Sequence, residues 1–382
     1  MKSAVQMGAG NIGRGFIGML LSQAGYKVTF ADVQEEMVKQ LASKGEYEVE
    51  VVGDNKNVVT VKNVDAKLSS DPALIDILAE ADVVTTAVGP PILKFISPNI
   101  VKAIKVGAAQ GRTKPLNVIA CENAVRATSQ LKKLVVDELD TDLPDWVNFV
   151  DAAVDRIVPP MEAGDDITKV RVEEFCEWLV EEAAFKGQVP EIAGMTPVEN
   201  LEAGVERKLF TLNTGHAVCA WIGQYLGFPT IKEAIEDETV ARLVKGIMTQ
   251  SGDALVAKHG FSPEAHAAYI EKILKRFANP YIIDSVERVG RQPVRKLTKG
   301  ERIASPVTAA MDNNLPYDKL LLGAAAAMYF KSDEDPQVGE LKDMLKSKSP
   351  GEVFDELSGL TGLGAKVEAF YNDMEKAIKE NL

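Results

Sequence analysis

A glycine-rich hexapeptide, Gly8-Ala9-Gly10-Asn11-Ile12-Gly13, follows the apolar run Ser3–Met7 and precedes an amphipathic stretch at 14–24. Strand, glycine loop and helix in that order constrain the N-terminal half more than any other feature. Gly8 allows the tight turn, Gly10 lets a pyrophosphate approach the backbone, and Gly13 lets the helix pack closely on the sheet. Phosphates are held there by free N–H groups and the positive end of the helix dipole. A second strand, 27–31, ends at Asp32, about 20 residues on, where a carboxylate accepts hydrogen bonds from an adenosine ribose. That carboxylate repels a 2′-phosphate, so the expected cofactor is NAD rather than NADP. Arg14 would weaken the preference if its guanidinium reached the ribose edge. Asp32 has a plainer alternative as a helix cap, because Glu35 follows three residues later.

The alternation continues through the first third of the chain and predicts βαβ units on a parallel sheet. Residues 35–44 read as a helix. Residues 47–52 and 58–62 alternate apolar with polar around Gly53-Asp54-Asn55, a strand pair inserted into the α/β pattern. Residues 82–87 and 116–121 read as buried strands, with a helix opening near Asn123, and 149–158 as one more extended segment. Beyond Gly194 helical periodicity takes over, at 199–212, 231–250, 263–277, 315–330 and 351–380. The fold class expected is an α/β N-terminal Rossmann-type domain with a mainly α-helical C-terminal domain. The seam is placed in the Pro190–Pro197 stretch, giving domains 1–193 and 194–382.

Composition narrows the partners. Asp plus Glu outnumber Lys plus Arg by 56 to 43, a net charge of −13, which disfavours nucleic acid and anionic membranes. No window approaches the roughly 18 uninterrupted apolar residues of a membrane span. The N-terminus enters a strand without a signal-peptide pattern, and the three widely spaced cysteines fit reduced thiols, so a cytoplasmic protein is expected. With three histidines, three cysteines and no ligand spacing, no metal is expected. Oligomeric state is left open.

The most informative segment of the second half is Glu206-Arg207-Lys208-Leu209-Phe210-Thr211-Leu212-Asn213-Thr214-Gly215-His216. On a regular helix Lys208 and Asn213 point about 140° apart, and Asn213 and His216 about 60° apart. The three converge only if the helix breaks or bends, and Asn213-Thr214-Gly215 is a sequence able to do that. The plain reading is a surface lysine, an asparagine terminus and a satisfied core histidine.

The spacing Lys208, Asn213, His216 matches the KxxxxNxxH signature of the polyol-specific long-chain dehydrogenases, and the chain resembles that family over its whole length. Further matching blocks are 8–18 (GAGNIGRGFIG), 85–90 (TTAVGP), Cys121-Glu122-Asn123 and 154–159 (VDRIVP). Longer members carry extra sequence ahead of the glycine loop, so the resemblance points to the shorter, sugar-phosphate branch. It implies metal-independent, NAD-dependent interconversion of D-mannitol 1-phosphate and D-fructose 6-phosphate, with a small-molecule sugar phosphate as the substrate. Lys208 would be the general base, its pKa lowered by desolvation and by Arg207 and His216 nearby. Asn213 and Asn123 would donate to the developing alkoxide, and His216 would orient the substrate or Lys208. Residues 8–13, Asp32, Val88 and Gly89 would hold the cofactor.

Asp155 and Arg156 match a family segment and are substrate candidates, with a structural ion pair as the alternative. For the substrate phosphate the candidates are Arg207, Arg295 and Lys296, of which the last two sit in the densest basic stretch. His259 and His266 read as surface or capping residues, and the acidic loop at 161–166 as an edge of the cleft. The alternatives are a dehydrogenase of another hexitol, hexitol phosphate or hexuronate, or a non-catalytic NAD(H)-binding redox sensor. A sensor needs no proton acceptor, and the full Lys208–Asn213–His216 pattern speaks against it.

Overall fold

The computed structural model describes residues 2–53, 55–158 and 166–382. The hairpin residue Asp54, and the acidic loop apart from Asp166, therefore lie outside the described residues. The chain forms two compact units, Met1–Gly204 and Val205–Leu382.

The first unit is built on a six-stranded parallel sheet. Its strands are β1 (Ser3–Met7), β2 (Lys27–Asp32), β5 (Val64–Leu68), β6 (Val83–Thr86), β7 (Leu116–Ala120) and β8 (Val147–Phe149). They lie in the order β5-β2-β1-β6-β7-β8, the doubly wound order, which reverses direction between β1 and β6. Strands of an all-parallel sheet are covered on both faces, and accordingly Leu116–Ala120 is buried at every position. The covering helices are α1 (Met19–Gln23), α2 (Glu35–Lys44), α3 (Ala73–Glu80), α4 (Leu93–Ala109) and α5 (Ala127–Glu138). A wide π-wound stretch, Gly13–Gly18, leads into α1.

The inserted pair forms as expected. β3 (Glu46–Val52) runs antiparallel to β4 (Lys56–Lys62), and β10 (Val170–Glu173) joins it in a small sheet. The extended segment expected at 149–158 is divided: β8 ends at Phe149 in the main sheet, and β9 (Ala152–Asp155) pairs with β11 (Glu177–Glu181). β12 (Met195–Val198) pairs in register with β11, Trp178 opposite Met195. That pairing ties residues 195–198 to a strand of the first unit, and the two compact units divide within helix α6 (Leu201–Arg207).

The second unit is helical. After α6 come α7 (Thr214–Tyr225), α8 (Ile231–Glu236), α9 (Glu238–His259), α10 (Pro263–Phe277), α11 (Val286–Gly290), α12 (Pro293–Leu297), α13 (Ala304–Asp312) and α14 (Asp318–Met328). Four further helices lie between Pro336 and Glu380. Local sequence sets the ends: the Asp237 side chain accepts the Val240 N–H at the start of α9, and Gly260 closes it with φ +72°. Ser262 and Pro263 start α10. Helices α7 and α14 are buried over most of their length because they run through the core, with Trp221 and Leu320–Leu322 fully buried. Among the described residues no helix is long and apolar enough to cross a membrane.

Candidate active site

At the carboxyl edge of the sheet the three glycines have different grounds. Gly8 holds φ +93°, and a Cβ there would lie 2.6 Å from the Ala87 carbonyl oxygen. A Cβ on Gly13 would strike the Gly8 carbonyl oxygen. A Cβ on Gly10 would meet nothing within 4 Å. No protein contact requires glycine at position 10, whereas a phosphate lying against the backbone does; the loop fits such a group. Ala9, Asn11 and Ile12 complete the turn, and the Arg14 N–H closes the first helical hydrogen bond on Gly10. The N–H groups just before it have no partner within the helix itself.

Asp32 binds its own protein as well as facing outward. Its Oδ2 accepts the Ala9 N–H at 2.6 Å, and its Oδ1 accepts Val33 N–H at 2.7 Å and Gln34 N–H at 3.0 Å. Gln34, not Asp32, is the cap of α2. A carboxylate has about four acceptor positions, so three backbone donors leave room for a hydroxyl. Arg14 is almost wholly enclosed by protein. It is buried under the loop, donating to the carbonyls of Ala9 and Ile167 beside the Met37 sulfur.

The expected cofactor contacts Val88 and Gly89 turn their N–H groups inward, to Glu122 at 3.0 and 2.8 Å. The Thr86 hydroxyl donates to the same carboxylate at 2.6 Å. What this turn offers a ligand is therefore its outer surface, open at Gly89. Glu122 was legible only as part of a matching block; a lone acid closing an apolar strand is the signal for it. Asn123 is exposed in the turn before α5 rather than in the helix. Burial and Glu122 push the Cys121 thiol up, so it stays protonated and is no nucleophile.

In the second unit, α6 does not continue into α7 as a regular helix. Lys208–Asn213 is π-wound, and the Thr214 N–H reaches back to the Leu209 carbonyl. In such a turn residue i+5 takes the place that i+4 takes in an α-helix, so Asn213 comes round nearly above Lys208. His216 follows one turn on. Lys208, Asn213 and His216 are all half-buried, while Phe210, Thr211, Leu212, Thr214 and Gly215 between them are buried. The departure from regular winding therefore spans Lys208–Asn213 and begins upstream of the Asn213-Thr214-Gly215 segment where the sequence suggested a bend.

The His216 ring stacks on Phe277 at 4.9 Å, with its Nε2 3.8 Å from Asp284. Burial pushes its pKa down to about 4, and Arg288, Lys296 and Arg276 add to this against the opposing Asp284. A neutral His216 supplies no positive charge to Lys208, contrary to expectation. Arg288 engages Asp284 through two of its nitrogens.

The phosphate candidates separate. The Arg295 guanidinium is taken up by Glu301 and by Gln292 at 2.8 Å. The Arg207 guanidinium lies over the rings of Tyr269 (4.9 Å) and Phe261 (5.9 Å). Lys296 is buried beside Trp221, its Nζ donating to the Val289 carbonyl. Its pKa is pushed down to about 7 by burial first, then by Arg302 and Arg295. Of the three, Lys296 is the one whose charge acts on His216.

Arg156 belongs to the first unit's framework. Its guanidinium donates to the carbonyls of Glu173 (2.9 Å) and Gly15 (3.0 Å) over the Phe16 ring, leaving little for a substrate. Asp155 is buried at the end of β9. His259 and His266 are not simple surface residues. His259 bonds Glu206 at 2.6 Å, and His266, buried, lies 3.3 Å from the Thr211 hydroxyl. Among the described residues no group of three or more His, Cys, Asp or Glu is placed to hold a metal ion.

Residues 2–194 match the mannitol dehydrogenase Rossmann domain, and residues 200–377 the mannitol dehydrogenase C-terminal domain. The chain belongs to the mannitol dehydrogenase family. Two solved structures of similar build are a substrate-free D-sorbitol dehydrogenase and the Pseudomonas fluorescens mannitol 2-dehydrogenase in ternary complex with NAD and D-mannitol. The first is 18% identical with a TM-score of 0.83, over 99% of this chain and 94% of that one. The second is 17% identical with a TM-score of 0.75, over 100% and 93%. At these identities the likeness is one of fold. The mannitol dehydrogenase architecture, a Rossmann-type sheet followed by a helical domain, is the one described above.

Proposed function

We propose that this member of the mannitol dehydrogenase family is an NAD-dependent oxidoreductase of a sugar alcohol phosphate, with the activity of a mannitol-1-phosphate 5-dehydrogenase. What supports this reading is the wide turn at Lys208–Asn213, together with the half-buried state of Lys208, Asn213 and His216 among buried neighbours. NAD, when bound, would supply the acceptor for the hydride of the secondary alcohol carbon. The Lys208 amine takes the hydroxyl proton, and with the hydride passed to the cofactor the alcohol would become the ketone. The Asn213 amide, uncharged and fixed by the helix, donates to the oxygen as negative charge develops on it. His216, neutral, accepts or donates a hydrogen bond without adding charge. In the first unit, Asp32 would hold a ribose hydroxyl and the Gly8–Gly13 turn the pyrophosphate. Asn123 is a further amide candidate by family pattern. Lys296 is the phosphate candidate: an amine with a pKa near 7 becomes fully protonated when a dianion arrives.

A free hexitol is the second reading. It is favoured by the prior engagement of Arg295 and Arg207, and the named relatives are dehydrogenases of free mannitol and sorbitol. Absorbance at 340 nm with mannitol, sorbitol, fructose and their phosphates separates the two. Turnover at least a hundredfold more efficient on fructose 6-phosphate than on fructose is expected; the reverse ratio selects the free hexitol. No turnover of any polyol or ketose, with NAD bound, selects the sensor.

A further inference from the structure

We propose that Ser251 and Thr214 are positioning residues that hold the wide turn and thereby set Lys208 and Asn213 on one face. This rests on the reading of Lys208 as proton acceptor. A π-wound turn is rare and tends to relax to α, because each backbone N–H finds a better-placed carbonyl four residues back. In an α-helix the Thr214 N–H would go to the Phe210 carbonyl. Here it is shared between the Leu209 and Thr211 carbonyls, bypassing Phe210, and the Phe210 carbonyl accepts the Ser251 hydroxyl at 2.6 Å. Ser251 lies on α9 and is fully buried, so no water stands in for its hydroxyl. A buried carbonyl without a donor is unfavourable, and Ser251 removes that penalty only for the wide winding.

Thr214 works from the other side. Its hydroxyl lies 2.9 Å from the Leu209 carbonyl and 2.7 Å from the Arg302 carbonyl, tying the end of the turn to the chain before α13. A third buried polar contact, Thr211 to His266, lies between them. Gly215 completes the fit, since a Cβ there would lie 2.5 Å from the Met248 sulfur. Removing these donors restores the competition in favour of α winding, in which Lys208 and Asn213 point about 140° apart.

The test uses Ser251→Ala and the shape-preserving Thr214→Val, with Thr214→Ser as the variant that keeps the hydroxyl. Each of the first two should lower kcat at least tenfold and shift the basic limb of its pH profile. NAD dissociation constants measured by fluorescence should stay within twofold of wild type, and Thr214→Ser should keep kcat within threefold. A crystal structure of Ser251→Ala should show α winding over 208–213. Retained kcat and an unchanged pH profile in folded Ser251→Ala, or wide winding in its crystal structure, overturns the proposal. If Ser251→Ala does not fold, equal kcat for Thr214→Val and Thr214→Ser overturns it. Lys208→Ala, run alongside, tests the underlying reading: full turnover there removes the base itself.

Discussion

The Asp32 carboxylate and the Ala9 amide are joined by a 2.6 Å hydrogen bond, so the acid at the end of β2 also fixes the glycine loop that follows β1. Two functions read separately from the sequence, ribose recognition and phosphate cradling, share one side chain. Asp32→Ala should therefore raise the KM for NAD by about tenfold or more and relax discrimination against NADP, since loop support, acceptor and charge vanish together. Steady-state kinetics with both cofactors checks this; an unchanged NAD/NADP ratio confines Asp32 to holding the loop.

Lys208→Ala should lower kcat by orders of magnitude while leaving NAD affinity intact, because only the transition state uses the proton acceptor. Retention of more than about a tenth of wild-type turnover removes Lys208 from that role.

Lys296→Met keeps the stem beside Trp221 and removes the charge. It should weaken fructose 6-phosphate about tenfold or more and leave any residual activity on free fructose nearly unchanged. In the wild type the KM for the phosphorylated sugar should rise as pH passes above about 7, where the free amine takes over. Equal losses on both sugars would make Lys296 a support of the core.

His216 and His266 are both held with a pKa of about 4 against an ordinary 6.5, each chiefly by burial. Below pH 6.5 the unfolded chain takes up protons there that the folded chain refuses. Stability is therefore complete above that pH and falls as pH drops toward 4, by at most about 1.4 kcal/mol per pH unit for each ring. Urea unfolding at pH 7 and pH 5 should show a smaller loss for His266→Gln than for the wild type. Identical losses would mean that His266 titrates normally in the folded protein.

The N-terminal architecture was legible because its signals are local. Gly8 is set by its own left-handed backbone angle, Gly13 by the Gly8 carbonyl five residues before it, and the apolar runs by strand periodicity. The division of 149–158 was not, since β9 and β12 are four-residue strands defined by their pairing with β11. In the candidate site, residue types were readable and orientations were not. Arg156 and Arg295 carry the charge expected of ligands, yet carbonyls and carboxylates distant or irregular in sequence had already engaged them. His266 lies on the inner side of α10, a matter of helix rotation that a single histidine near a cap does not reveal. The wide turn was invisible for a related reason: its winding depends on Ser251 and Arg302, far along the chain from Phe210 and Thr214.

The empty space beside Gly10 separates two qualities usually lost together. An alanine there meets no atom and needs no unusual backbone angle, so Gly10→Ala should melt at the same temperature as the native protein and express as well. The methyl group would nonetheless stand where a diphosphate must lie. A survey of variants by solubility or thermal shift would pass this lesion as harmless, and only a measurement with dinucleotide present would register it.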